Sequence, residues 1–187
     1  MRVLTVRQPW AWAIIHGGKD VENRVRTLGP YRGPVAIHAG RGWSEHACQG
    51  WAMRTAVQSS ELGYPADDSQ TWAADSIERD DKRFVFGAVI GVVDLIGVHD
   101  SQDCYDADLR RLAELAREDH PAFQAIPDAG GGGLIGRVRR CSPWAMDEHH
   151  HLMLENPRPI EPIPATGRLG LWRPAAGVID QMQGALA

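Results

Sequence analysis

The chain has 187 residues, of which 43% are hydrophobic, enough to bury a core without disulfide or metal staples. Its 20 Lys and Arg against 24 Asp and Glu leave a net charge of −4, which does not supply the broad basic face that duplex DNA requires. The N-terminus has no apolar leader and no stretch is apolar and long enough to span a bilayer, so a cytoplasmic protein with no membrane partner is expected; three cysteines without close spacing imply no disulfide framework.

Residues 2–7 predict a strand, and Pro9 suits the first turn of a helix, where a missing N–H costs nothing. Trp10, Ala13 and Ile14 then fall at helical spacing, and Gly17-Gly18 ends the helix. Val21–Val25 and Gly33–Ala39 predict a second and a third strand. Ser44 is placed to cap a helix with Cys48, Trp51, Ala52 and Ala56 on its inner face. Residues 63–82 are polar and acidic and predict a surface loop.

Phe84–Val98 is the strongest strand signal, and it is too long for one straight strand. Gly87, Gly91 and Gly97 are expected to bend or bulge it, as a curling barrel needs. Asp106–Arg117 predicts a helix with Leu109, Leu112, Ala113 and Ala116 inward. The glycines at 130–133 follow as a loop without the Lys-Ser/Thr of a phosphate loop. Leu134–Cys141 and His149–Glu155 predict strands, and Pro157, Pro159, Pro162 and Pro164 an extended connector. Gly167–Trp172 gives a last short strand, and a helix over 175–186 turns Val178, Ile179, Met182 and Leu186 inward. Strands outnumber helices, and the helices sit in the connections. The class is therefore α+β, a small mixed β-barrel with helices packed around it.

Charge is unevenly distributed. Residues 1–44 carry seven Lys and Arg against Asp20 and Glu22, a local balance of +5, whereas residues 45–128 come to −10. A basic segment inside an acidic protein points to a local anion site. Within it, Lys19, Glu22 and Arg24 follow a helix end. If 20–24 is extended, Glu22 and Arg24 share a face and Lys19 leans over either. Such a group can bind a polar, partly anionic ligand. It can equally be a surface salt bridge, and a desolvated lysine there can act as base or nucleophile. Gln8 and Trp10 line the entrance. Trp144 serves either as a stacking lid or as core.

His149, His150 and His151 do not make a metal site on a strand, since only alternate residues share a face. Cys104, His120 and Cys141 are the other candidates, and nothing in their order brings them together. No metal and no cofactor are expected.

The segment Leu4–Trp10 continuing through Gly17–Arg24 resembles the signature of the ASCH domain family, a branch of the PUA-like superfamily: Gln-Pro-Trp, then Gly-x-Lys-x-x-Glu-x-Arg. The strands Gly33–His38 and Gly87–Leu95, and the tail Leu154–Pro159 with Gly170–Trp172, resemble the bacterial and phage members. Together these segments cover most of the chain. Residues 58–82 and 100–135 look like insertions in one domain spanning 1–187. The resemblance implies a PUA-like barrel with a cleft lined by the Lys-Glu-Arg motif, and RNA or a nucleoside- or nucleotide-like ligand. Members include nucleic-acid-binding domains, proposed ribonucleases, and amidohydrolases acting on N4-acylated cytidine. The amidohydrolases carry threonine where Asp20 and Glu22 stand here.

The expected ligand-binding residues are thus Gln8, Trp10, Lys19, Glu22, Arg24, His38 and Trp144. Lys19 and Glu22 are the candidate catalytic pair if the protein is a hydrolase, and a module that binds only other proteins is the further alternative.

Overall fold

A computed structural model describes residues 1–66, 77–128 and 133–186. Six strands form one sheet: β1 (Arg2–Gln8), β2 (Val21–Arg24), β3 (Gly33–Trp43), β4 (Ala88–Asp100), β5 (His150–Pro164) and β6 (Leu171–Trp172), in the order β2-β5-β4-β3-β1-β6. Among the described residues there are six α-helices, five in the connections and the last after β6: α1 (Trp10–His16), α2 (Glu45–Gln49), α3 (Trp51–Leu62), α4 (Ser101–Arg117), α5 (Pro121–Ala125) and α6 (Ala176–Leu186). The α+β class and the curled, barrel-type sheet expected from the strand and glycine pattern are those of the structure. None of the described helices is long and apolar enough to cross a membrane.

The chain divides into two compact units. The first comprises residues 1–22, 28–97 and 153–187, and the second residues 23–27 and 98–152.

In the first unit β1 is the organising strand. It runs parallel to β3, with Leu4 beside Ile37 and Thr5 beside His38, and antiparallel to β6, with Val3 beside Trp172. Covered on both faces, it reads as apolar rather than alternating: Val3, Leu4 and Val6 are all buried. β3 and β4 pair antiparallel, and their register slips where Ile37 meets Gly91 and His38 meets Val89, leaving Ile90 as the extra residue of a bulge. The expected distortion near Gly91 is therefore present. Its cause is a close approach: a Cβ on Gly91 would lie 2.6 Å from Ile15 Cδ1 and 2.9 Å from the Arg158 carbonyl oxygen. On the other face Val178, Ile179 and Leu186 pack with buried Met182 against Val3, Ala36, Val92 and Trp172, as the spacing in α6 predicts.

Four expectations change. The strand expected from Phe84 begins only at Ala88, after Gly87 turns the chain at φ +71°. The helix after Ser44 breaks at Gly50 and buries Ala47, Met53 and Val57, while Trp51 is 54% exposed. Residues 134–141 contain a 3-10 turn over Ile135–Arg137 instead of a strand. Their donors are satisfied outside any strand ladder, Arg137 N within the turn by Leu134 O at 3.2 Å and Arg139 N by the distant Asp108 Oδ2 on α4 at 2.7 Å. Finally, the proline-rich tail is not a connector but the second half of β5, bent at Asn156 (φ +51°). The neighbouring β2 is only four residues long, so much of that edge of β5 needs no N–H donors and tolerates proline. The loop expected over 63–82 falls partly on 67–76, outside the described residues; of the rest, Ile77 is buried.

Asp94 on β4 accepts two bonds from the Arg158 guanidinium on β5, at 2.7 and 3.1 Å, and one from Asn156 at 3.1 Å. Arg158 first, and Asn156 second, hold the Asp94 carboxyl below its ordinary range. A depressed carboxyl stabilises the fold above its unfolded pKa of about 3.9 and loses that contribution as pH falls through the folded value. We expect Asp94→Asn to lower stability at pH 7 by no more than about 1 kcal/mol, because the pair is partly exposed. The deficit should shrink as pH is lowered below about 4. Urea unfolding of both proteins across pH measures it, and a deficit that grows in acid would refute the assignment.

Candidate functional site

The N-terminal motif is a strand–helix–turn unit whose parts are fixed by main-chain bonds. β1 ends at Gln8, which is fully buried. Its Oε1 accepts from Trp12 N at 2.9 Å, satisfying a first-turn donor of α1, and its Nε2 donates to Val85 O at 2.8 Å. Both ends of the amide expected to line the ligand entrance are thus committed to the main chain.

At the other end of α1, Ala13 O accepts from both Gly17 N (2.9 Å) and Lys19 N (3.0 Å). Gly18 at φ +70° makes the reversal, a conformation that favours glycine. Gly17 must also lack a side chain: a Cβ there would lie 3.0 Å from Trp12 and 3.1 Å from Ala56.

This turn delivers Lys19 into the protein. It is 2% exposed, and Glu22 is 7% exposed. Lys19 Nζ donates to the carbonyl of Val21, stands 3.6 Å from Glu22 Oε2, and lies over the Trp10 ring at 5.3 Å from its centroid. The structure therefore brings Lys19, Glu22 and Trp10 together. Two opposite charges taken out of water are retained by mutual attraction, a carbonyl and an aromatic face.

His38, on β3, is buried; its Nε2 is 2.9 Å from Ala165 O and its ring meets Trp172 edge-on at 6.0 Å. Gly167 closes over it, since a Cβ there would lie 2.6 Å from His38 Cε1.

Arg24 and Trp144 belong to the second unit. Trp144 is half-buried, its carbonyl accepting from Asn23 Nδ2 at 2.8 Å, while Asn23 Oδ1 accepts from Met146 N at 3.0 Å. The motif's asparagine thus holds the 144–146 turn.

The sequence missed a cation–aromatic patch in the first unit. Arg79 is exposed and its guanidinium lies 5.1 Å from the Phe86 ring centroid, while its Nη2 donates to Arg41 O at 3.1 Å. Trp43 packs on Phe84 and Phe86 at 5.2 and 6.4 Å. Arg7 lies along Gly42, where a Cβ would be 3.1 Å from its Cγ. The signal was present as Phe84-Val85-Phe86, which the strand pattern absorbed.

The candidate metal residues also rearrange. His120 is used as the cap of α5, its Nδ1 accepting from Ala122 N. Cys104 and Cys141 do converge, with His99 and His151 rather than His120.

No protein-family model matches the chain, nor does any curated protein. Among solved structures, the chain is similar to ASCH from Zymomonas mobilis, with TM-score 0.44 and 16% identity over 98% of this chain and 93% of that one. It is similar in the same degree to a single-substitution variant of that protein, over 98% and 96% of the two chains. These are structures from the family that the segment Leu4–Trp10 continuing through Gly17–Arg24 resembles.

Breaking a buried pair by removing one partner leaves the other charge stranded. Lys19→Met is therefore expected to cost about 3–5 kcal/mol in urea unfolding. Adding Glu22→Gln should restore most of it, because the stranded carboxylate disappears. A Lys19→Met loss under about 1 kcal/mol would place the pair among ordinary surface salt bridges.

Proposed function

We propose that the first unit binds single-stranded RNA or a nucleotide-like ligand beside the N-terminal motif. The observation that carries this is the repeated setting of cations over aromatic faces: Lys19 over Trp10 inside the protein, and Arg79 over Phe86 at its surface. A nucleotide offers a phosphate to a guanidinium and a flat base to a ring or a guanidinium plane, and that mixed chemistry suits unpaired rather than duplex nucleic acid. Arg7 and Arg41 are exposed beside the same aromatics and add positive charge. Gln8 joins the two groups, since it pairs with Trp43 in the sheet and bonds to Val85, next to Phe86. Lys19 and Glu22 then shape the floor of the site and hold Trp10 in place. Arg79, Phe86 and Arg7 make the outer contacts.

Fluorescence anisotropy with a short labelled RNA, and with duplex DNA of the same length, tests this. Single-stranded RNA should bind more tightly, with a shallow salt slope of about −0.7 per phosphate contact. Arg79→Ala and Phe86→Ala should each weaken binding about 10-fold, within the range for loss of one stacked base. Equal or tighter binding of the duplex, or unchanged affinity in both variants, would refute the proposal. Incubating the same protein with N4-acetylcytidine provides a check on catalysis: turnover at catalytic protein amounts would identify a hydrolase.

A further inference from the structure

The second unit holds a group of side chains that RNA binding does not use. His99 stands near the end of β4, Cys104 in the first turn of α4, Cys141 in the turn after Ile135–Arg137, and His151 at the start of β5. One ligand-capable atom from each lies within 4.8 Å of the others. We propose that these four residues bind a structural zinc ion.

Two of the separations match the ion. With Zn–N near 2.0–2.1 Å and Zn–S near 2.3 Å, tetrahedral geometry places two nitrogens about 3.3 Å apart, and a nitrogen and a sulfur about 3.6 Å apart. His99 Nε2 and His151 Nδ1 are 3.3 Å apart, and His151 Nδ1 and Cys141 Sγ are 3.4 Å apart.

The hydrogen-bond count points the same way. His151 Nε2 is 2.8 Å from Met146 O and donates to it, which leaves Nδ1 with a single lone pair. Two groups crowd that lone pair, the His99 ring nitrogen and the Cys141 sulfur. A cation between them accepts lone pairs from all three and removes the competition. The bond to Met146 is also the outer-sphere contact that fixes the tautomer of a metal-binding histidine. The Cys141 main-chain N–H donates to Cys104 Sγ at 3.1 Å, a contact that steadies a thiolate. Two thiolates and two imidazoles form a closed set with no open position, as in structural zinc sites.

The unit has a use for such an ion. Among its described residues, Leu112 and Leu152 are the only large apolar side chains that are buried. Units with so small a core depend on staples, and a metal joining four separate elements is one.

The test uses the full chain, reduced, and without a histidine tag. Elemental analysis should find one zinc per chain. After zinc is removed, Co²⁺ should bind with the visible bands of a tetrahedral ion and an ultraviolet thiolate-to-cobalt band, and Zn²⁺ should displace it. Cys141→Ser and His151→Ala should each weaken Co²⁺ binding at least about 100-fold, beyond what loss of an outer-shell contact produces. Cys48→Ser should leave it unchanged. The wild-type spectrum decides the matter even if a variant fails to fold. A reduced protein that retains no zinc and gives no tetrahedral cobalt spectrum overturns the proposal. So does a Cys104–Cys141 disulfide in the protein as purified, or Co²⁺ binding that is unaltered by Cys141→Ser.

Discussion

The Gln8 amide is the joint on which the first unit turns. Three pieces of chain meet there. Its oxygen takes a donor from α1 and its nitrogen serves the carbonyl of Val85 ahead of β4, while the main-chain carbonyl of the same residue accepts from Ser44 N at 2.9 Å where α2 begins. Only a side chain with a donor and an acceptor at its tip can do this. A glutamate would offer two acceptors to Trp12 and Val85, and a leucine would strand two buried main-chain groups, each costing about 1–3 kcal/mol. Because α1 hangs from this bond, so do the turn at Gly17-Gly18 and the inward path of Lys19. Gln8, expected at a ligand entrance, is here the device that places a helix.

Local features were the legible ones. The helix entrance at Pro9, the stop at Gly17-Gly18 and the inner face of α6 each depend on spacing over a few residues. The same is true of the pair Lys19–Glu22, three positions apart. The sequence misled where tertiary context overrode local pattern. Prolines that look like a linker sit within β5 because its neighbour β2 is short. Trp51 lies outside because the helix breaks at Gly50 and the phase of the apolar face shifts to Met53 and Val57. The four residues His99, Cys104, Cys141 and His151 come from two strands, a helix and a turn, and no one-dimensional spacing links them.

The two units are held by different physics. The first relies on apolar contact: strands buried on both faces, with Ile15 of α1 packed against Gly91 of the sheet. The second relies on directed polar bonds. Asp100 caps α4 through Asp103 N, Asp108 accepts from Arg139 N, Arg137 donates to the carbonyls of Phe123 and Ile126, and Arg140 pairs with Asp147. Many of these bonds are exposed, so each adds little, and the unit's order depends on their number.

Gly167 has no side chain, and the His38 ring lies where one would begin, with Thr5 Oγ1 2.9 Å from the same point. Every coded replacement for glycine introduces a carbon there, alanine included. No gradual path of substitution therefore leads away from this residue; the ring, the threonine and the loop would have to change together. Position 167 is locked in by its neighbours, and a random mutagenesis library should be depleted of variants there.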